Sequence, residues 1–254
     1  MIDIHSHILP GIDDGAKHIG DSIDMAKAAV NEGIHTIIAT PHHKNSKYNN
    51  YKTDILSKVN DLNVELEKAS VPLKVLPGQE IRIYGEVVDD LEQDEILTLN
   101  GTQYLFIELP SGHVPRYTEK LLFDLQLKGL VPIIVHPERN QEIIERPDVL
   151  YNLVKKGALT QVTASSLSGY FGKKIKNFSY QLIEANLTHF IASDAHNVNS
   201  RGFKMAETMN MIESKYGTDY VYLFQENAEL LVENSNVYKE APEPIKKKKF
   251  LGIF

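Results

Sequence analysis

Cysteine is absent from this 254-residue chain, which removes disulfides, thiolate metal sites and every mechanism that uses a cysteine nucleophile. Long apolar runs are absent too: none approaches the roughly 18 residues that a membrane-spanning helix needs. Met1 leads straight into Ile2-Asp3-Ile4-His5, with neither a basic stretch nor a signal-type apolar segment, so the chain is expected to stay in the cytoplasm. There is no excess of basic residues. The formal charge of −7 disfavours a nucleic-acid partner, because affinity for polyanions comes from clustered Lys and Arg. Also missing are a Gly-x-Ser-x-Gly elbow, a Gly-x-x-x-x-Gly-Lys-Ser/Thr loop and a Gly-x-Gly-x-x-Gly fingerprint. The stretch Gly169-Tyr-Phe-Gly172-Lys173 is only superficially like a phosphate loop.

What remains has the composition of an ordinary globular protein, 42% hydrophobic and 24% charged, and is long enough for one large α/β domain. Short β-branched or apolar runs recur at 2–4, 34–39, 73–76, 104–107, 131–135, 159–163 and 189–192. Helix-like segments at 21–32, 51–69, 117–128, 146–156 and 173–185 separate them. In the first, Ile23, Ala26, Ala29 and Val30 fall on one face and Gly33 supplies the stop. This alternation reads as parallel strands with crossover helices, and seven runs predict a distorted seven-stranded (β/α)7 barrel. No linker, repeat or low-complexity block interrupts residues 1–233, so one domain over 1–238 is expected. From Lys239 a proline-containing spacer leads to four lysines and an apolar end, a tail over 239–254 that looks appended. Its last part, Lys246–Phe254, fits either a weak contact with the anionic inner face of a membrane or a solubilising extension.

The informative pattern is where the polar residues fall. Strand after strand ends in a histidine or carboxylate, the side chains that bind divalent cations, and in a barrel those ends share one face. The first run ends in His5-Ser6-His7, whose alternation points both imidazoles the same way, about 6–7 Å apart at the backbone. Asp13-Asp14-Gly15 follows on a loop, then Thr40-Pro41-His42-His43, Gly78-Gln79-Glu80 and Ile107-Glu108. The series closes with His136-Pro137-Glu138-Arg139 and Ser193-Asp194-Ala195-His196. Any one of these has an ordinary structural explanation. Together they predict a metal cluster, because buried carboxylates and imidazoles facing one another without cations carry a severe electrostatic cost. His18, His35, His113 and His189 lie off the pattern and are expected at the surface or on helix flanks, while His43 stays ambiguous beside His42.

His5-Ser-His7, with Glu80, Glu108, His136 and Asp194-Ala-His196 following, resembles the PHP superfamily of metal hydrolases over nearly the whole chain. Within it, Asp3-Ile-His-Ser-His-Ile-Leu-Pro-Gly-Ile-Asp-Asp-Gly15 is similar to the opening of the manganese-dependent protein-tyrosine phosphatases that regulate capsule and exopolysaccharide synthesis in Gram-positive bacteria. Ala39-Thr-Pro-His-His43 and Val135-His-Pro-Glu-Arg139 strengthen the match. The resemblance implies a trinuclear centre. It would place His5, His7, Glu80 and Asp194 on one ion, Glu80, Glu108 and His136 on a second, and Asp14, His42 and His196 on a third. Histidine and carboxylate donors suit Mn, Fe or Zn; the resemblance implies Mn first, with Fe or Zn as alternatives and two or three ions per chain.

Cations about 3.5–4 Å apart can share a water and lower its pKa, so the expected reaction is direct attack of the resulting hydroxide on phosphorus. Arg139 and Arg201 are the candidates to stabilise the transferring phosphoryl group. A tyrosyl leaving group, with a pKa of about 10, needs less protonation than an aliphatic alkoxide. The implied partner is a membrane-associated bacterial tyrosine kinase with a phosphotyrosine tail. Two other readings stand beside this one: a small-molecule phosphatase such as a histidinol-phosphate hydrolase, and a non-catalytic metal-binding regulator.

Overall fold

Parallel pairing dominates the computed structural model, which describes residues 1–245. The membrane-contact expectation for Lys246–Phe254 lies outside the described residues. Strands β1 (Ile2–Ser6), β2 (Thr36–Ala39) and β4 (Lys74–Pro77) form one sheet in the order β1-β2-β4. A second sheet runs β3-β5-β6-β7-β8-β9, from β3 (His42–His43) and β5 (Glu80–Arg82) through β6 (Tyr104–Glu108), β7 (Val131–Val135) and β8 (Leu159–Thr163) to β9 (Phe190–Ala192). The sequence pattern predicts seven strands closed into a barrel; the described residues instead form nine strands in two parallel sheets, an α/β fold without a closed barrel among them. The difference has a local cause. The expected runs at 34–39 and 73–76 form β2 and β4; beyond them the chain resumes pairing as β3 after Thr40-Pro41 and as β5 after Gly78-Gln79. At Gly78 a Cβ would lie 2.6 Å from the Ile38 side chain and 3.3 Å from the Ala39 carbonyl, so the break sits tightly against its neighbour strand. A single parallel bridge, Ser6 with Ala195, joins β1 to the segment after β9.

Successive residues of each strand enter different apolar clusters, as a period of two requires. Ile37, Ile107, Ile134 and Ile191 face helical residues such as Met25, Ile55, Leu62, Leu125 and Leu182. Ile38, Phe106, Ile133 and Phe190 face a second cluster that Leu99, Ala228 and Leu231 close. Complete burial of such side chains contributes about 1.5–3 kcal/mol each.

The five expected helices form as α1 (Ile19–Asn31), α2 (Lys52–Lys68), α4 (Thr118–Leu127), α6 (Pro147–Lys155) and α8 (Lys173–Glu184). Between them lie short helices α3 (Val87–Glu92), α5 (Gln141–Glu145) and α7 (Ala164–Ser168). Two further helices, α9 (Met205–Tyr216) and α10 (Thr218–Val232), go beyond the sequence reading. Helix α1 starts two residues earlier than expected because His18 caps it: its ring accepts from the Asp21 amide while the Asp21 carboxylate accepts from the His18 amide, a reciprocal box. Residues 239–245 run along the domain rather than away from it. The Glu243 amide donates to the Ala185 carbonyl, Asn186 Nδ2 donates to Ala241, and Ile245 packs on the main cluster. No helix among the described residues is long and apolar enough to cross a membrane.

His18, His35 and His113 are exposed, as expected, but His189 is 4% exposed and belongs to the interior. It lies just before β9, under Asn227 of α10, which donates to its carbonyl at 3.0 Å; the Thr160 amide donates to its Nδ1 at 3.1 Å. Burial, with the Lys239 charge as a lesser cause, brings this imidazole down to about 3 from an ordinary value of 6.5. A depressed folded value means that the unfolded chain binds the extra proton first, so stability is full above about pH 6.5 and falls as pH drops toward 3. His189→Gln is expected to flatten the pH dependence of the melting temperature between pH 6.5 and 4 relative to the parent; identical slopes in the two melting series would contradict this account.

Candidate metal centre

The ends of most strands, and the breaks after β2 and β4, deliver the predicted residues to one place. His5 lies on β1 and His7 one residue beyond it, His42 opens β3, Glu80 opens β5, Glu108 closes β6, His136 follows β7, and Asp194 and His196 follow β9. Two of these positions have left-handed backbone without being glycine: His136 at φ 36° and Asp194 at φ 52°. Such conformations cost free energy and persist where surrounding contacts dictate them. Here the His136 amide donates to the Gln161 carbonyl and the Asp194 amide to the His5 carbonyl, which turns both chains sharply at the strand ends. The Asp13-Asp14-Gly15 loop crosses directly over His7. A Cβ on Gly15 would lie 2.0 Å from the His7 carbonyl oxygen, so only glycine permits this crossing.

Glu80 sits at the centre, fully buried. Its Oε1 is 2.8 Å from His136 Nε2 and 3.5 Å from His5 Nε2, and its Oε2 is 2.7 Å from His42 Nδ1 and 3.4 Å from His7 Nε2. Asp194 Oδ1 lies 3.4–3.6 Å from His5 Nε2, His7 Nε2 and His196 Nδ1. Asp14 Oδ1 approaches His42 Nε2 at 3.3 Å and His196 Nε2 at 3.4 Å. Three groups of ligand atoms are mutually within 4.8 Å: His7, Asp14, His42 and His196; His5, His7 and Glu80; and His42, Glu80 and Glu108. All nine predicted ligand residues are therefore in one cluster. Their grouping differs from the implied one in three respects: His42, rather than His136, joins Glu80 and Glu108; His7 also joins Asp14, His42 and His196; and Asp194 and His136 reach the cluster through their contacts with His5, His7 and Glu80 without entering any of the three groups.

The electrostatics show what the cluster requires. Burial resists charge on Glu80, but His42, His5 and the His136 hydrogen bond hold its carboxyl well below the ordinary range. Burial likewise opposes charge on His42, yet Glu80 and Asp14 outweigh it and push the imidazole up to about 10. Burial and the adjacent Glu80 carboxylate raise Glu108 to about 7 against the pull of Arg82. His5 Nε2, His7 Nε2, His42 Nδ1, His196 Nε2, Glu80 Oε2 and Glu108 Oε2 are all buried and crowd one another without reaching hydrogen-bonding geometry. Six orphaned donor atoms converging on one space fit divalent cations, which would satisfy them and replace protons on the imidazoles.

Both candidate arginines reach this space. Arg139 Nη2 lies 2.8 Å and Arg201 Nη2 3.2 Å from Asp194 Oδ2, and Arg201 Nη1 is 3.6 Å from Asp14 Oδ2. They line a cavity of about 360 Å³ together with Asp14, His42, Glu108 and His136. His43, by contrast, is buried beside Tyr51 and Tyr84 and belongs to none of the ligand groups.

Three residues escaped the sequence reading. Asp13 Oδ2 is 2.7 Å from His7 Nδ1, and Gln161 Oε1 is 2.9 Å from His5 Nδ1, so each fixes the ring whose other nitrogen faces the cluster. Arg82 Nη2 donates to Glu108 Oε1 at 2.9 Å and leaves Oε2 for the interior. Asp13 had a signal, its place in the Asp-Asp-Gly loop; Gln161 and Arg82 lie inside strands, where only register reveals their partners.

Parallel sheets carrying a buried histidine–carboxylate cluster at their strand ends define an α/β protein built to hold divalent cations. Residues 1–233 match the family described as capsular polysaccharide synthesis, CpsB/CapC, and the chain belongs to that family. It is 54% identical over 254 residues, all of both chains, to the tyrosine-protein phosphatase YwqE of Bacillus subtilis (strain 168). It is 40% identical, again over all of both chains, to the putative tyrosine-protein phosphatase CapC of Staphylococcus aureus. A crystal structure from a study of YwqE from Bacillus subtilis and CpsB from Streptococcus pneumoniae, described as unique metal-dependent tyrosine phosphatases, superposes with a TM-score of 0.95 at 55% identity, covering 97% of this chain and 100% of that one. An organophosphorus hydrolase mutant at 11% identity and a TM-score of 0.58, covering 91% and 92% of the two chains, shares the fold alone.

Asp13→Asn removes the charge that orients His7 while keeping size. It is expected to weaken binding of a divalent cation by about 10–100-fold, as loss of such outer partners commonly does. Competition against a metallochromic dye measures this, with circular dichroism as the check on folding; parental affinity in the variant would refute the orienting role.

Proposed function

We propose that the chain is a metal-dependent protein-tyrosine phosphatase. The observation that carries this reading is the convergence of six orphaned ligand atoms beside a cavity that also presents Arg139 and Arg201. The printed names of relatives at 54% and 40% identity support it. His5, His7, Asp14, His42, Glu80, Glu108, His136, Asp194 and His196 would hold the metal, with Mn as the first choice and two or three ions per chain. Bound divalent cations supply Lewis-acid charge and a water of lowered pKa.

The remaining work falls to the chain. Asp194 Oδ2 holds both guanidinium groups, and the Phe171 ring, 5.4 Å from the Arg139 guanidinium carbon, supports one of them from the side. An arginine carries five N–H donors, so both retain donors for the equatorial oxygens of the phosphoryl group, where charge gathers. A tyrosyl leaving group with a pKa of about 10 departs with little protonation. The membership in a capsular polysaccharide synthesis family fits a membrane-associated tyrosine kinase as phosphotyrosine partner, met at the inner face of the membrane. We also read the two sheets as parts of one distorted seven-run barrel, on the grounds that β3 and β5 each continue a predicted run after a two-residue interruption and that Ser6 pairs with Ala195 across the gap.

Metal-stripped protein is expected to release no phosphate from a phosphotyrosine peptide and to recover on addition of Mn. His136→Ala should abolish the recovered release, and Arg139→Ala should lower it about 10²–10³-fold. Restored protein that cleaves histidinol phosphate but leaves the peptide intact would replace this reading with a small-molecule phosphatase; release from neither would leave a silent metal-binding protein.

A further inference from the structure

We infer that Tyr48 selects for aryl over alkyl phosphates by offering a planar platform to the ring of the substrate, an inference that rests on the phosphatase reading above. The cavity wall is mostly charged or amide-bearing, which suits a phosphoryl group but does not distinguish what the phosphate is attached to. Among the described residues that line it, Tyr48 supplies the one aryl ring. That ring is tilted only 8° from the imidazole of His42, with centroids 6.2 Å apart, so it lies nearly parallel to a member of the ligand cluster.

The platform is held in place by the backbone that carries the ligands. Asn45 Oδ1 accepts from the amides of Lys47 and Tyr48 at 2.9 and 2.7 Å, closing an Asx-type turn. Asn50 Nδ2 donates to the carbonyls of Ile12 and His42 at 3.0 and 2.8 Å, and Gln79 Nε2 donates to the Asn50 carbonyl at 2.6 Å. The loop is thus tied to His42 itself and to the residues just before Asp13 and Glu80. A ring fixed in this way recognises another ring without the cost of ordering a loop. Offset stacking favours an aromatic partner, whereas an alkyl phosphate offers no π-face. The expected gain for an aryl ligand is about three- to tenfold in affinity.

The test uses the full chain restored with Mn and two probes that cannot be hydrolysed, phenylphosphonate and methylphosphonate, in isothermal titration. The parent is expected to prefer phenylphosphonate. Tyr48→Ala should weaken phenylphosphonate about three- to tenfold and methylphosphonate less than about twofold, while Tyr48→Phe keeps the preference. Tyr48→Leu retains apolar bulk without a π-face and should also lose it, which covers loosening of the loop in the alanine variant. KM for a phosphotyrosine peptide should rise in parallel with the loss of phenylphosphonate affinity. Equal affinity of the parent for both probes, or equal loss of both in Tyr48→Ala, overturns the platform. Because titration involves no turnover, absence of phosphate release from the parent would count against the phosphatase reading separately.

Discussion

Charge balance in a largely buried cluster of ionisable side chains is the constraint on which the rest of the structure depends. Glu80 and Asp194 are buried carboxylates surrounded by imidazoles, and each contacts several of them at once. A protein stable by only about 5–15 kcal/mol does not keep such a crowd of buried ionisable groups for packing alone. The cluster becomes favourable when cations supply the missing charge, and the surrounding shell is shaped to present ligand atoms rather than to pair them with one another. Asp13, Gln161 and Arg82 each take the outer side of a ligand residue and leave its inner atom open.

The irregularities of the sheets serve the same end. Where Thr40-Pro41 and Gly78-Gln79 interrupt pairing, the chain resumes at once with His42 and Glu80, and these two residues pair in register with each other across β3 and β5. The breaks therefore re-aim two adjacent strands toward the cluster without ending the parallel order. His136 and Asp194 achieve a comparable turn through left-handed backbone instead of proline or glycine. Their amides are anchored on neighbouring strands, which is how the strain is sustained.

Much of this was legible in the sequence because polar residues at the ends of apolar runs stand out. All nine expected ligands and both arginines meet at one cavity or its immediate wall, since each was marked by a local motif such as His5-Ser-His7 or Asp194-Ala-His196. What stayed hidden depends on contacts distant in the chain. Gln161 and His5 are 156 residues apart, and nothing in a β-strand sequence announces such a pairing. His189 reads as a flank residue by position but is buried by Asn227 of α10, a helix that the periodic pattern did not disclose. The number of strands differs from the expected seven for a related reason: a run of apolar residues does not reveal whether a proline or glycine at its end stops the ladder or only breaks it.

The course of residues 239–245 has a practical meaning for how the molecule can be handled. They border Ala158, Leu159, Asn186 and His189, at the starts of β8 and β9, whereas every ligand residue lies at or near the strand ends. In a parallel sheet those are opposite faces. A surface tether attached within residues 239–245 would therefore hold the domain by its base and leave the mouth of the cavity open to a bulky protein substrate, so orientation-controlled immobilisation through that segment is the natural format for presenting this site.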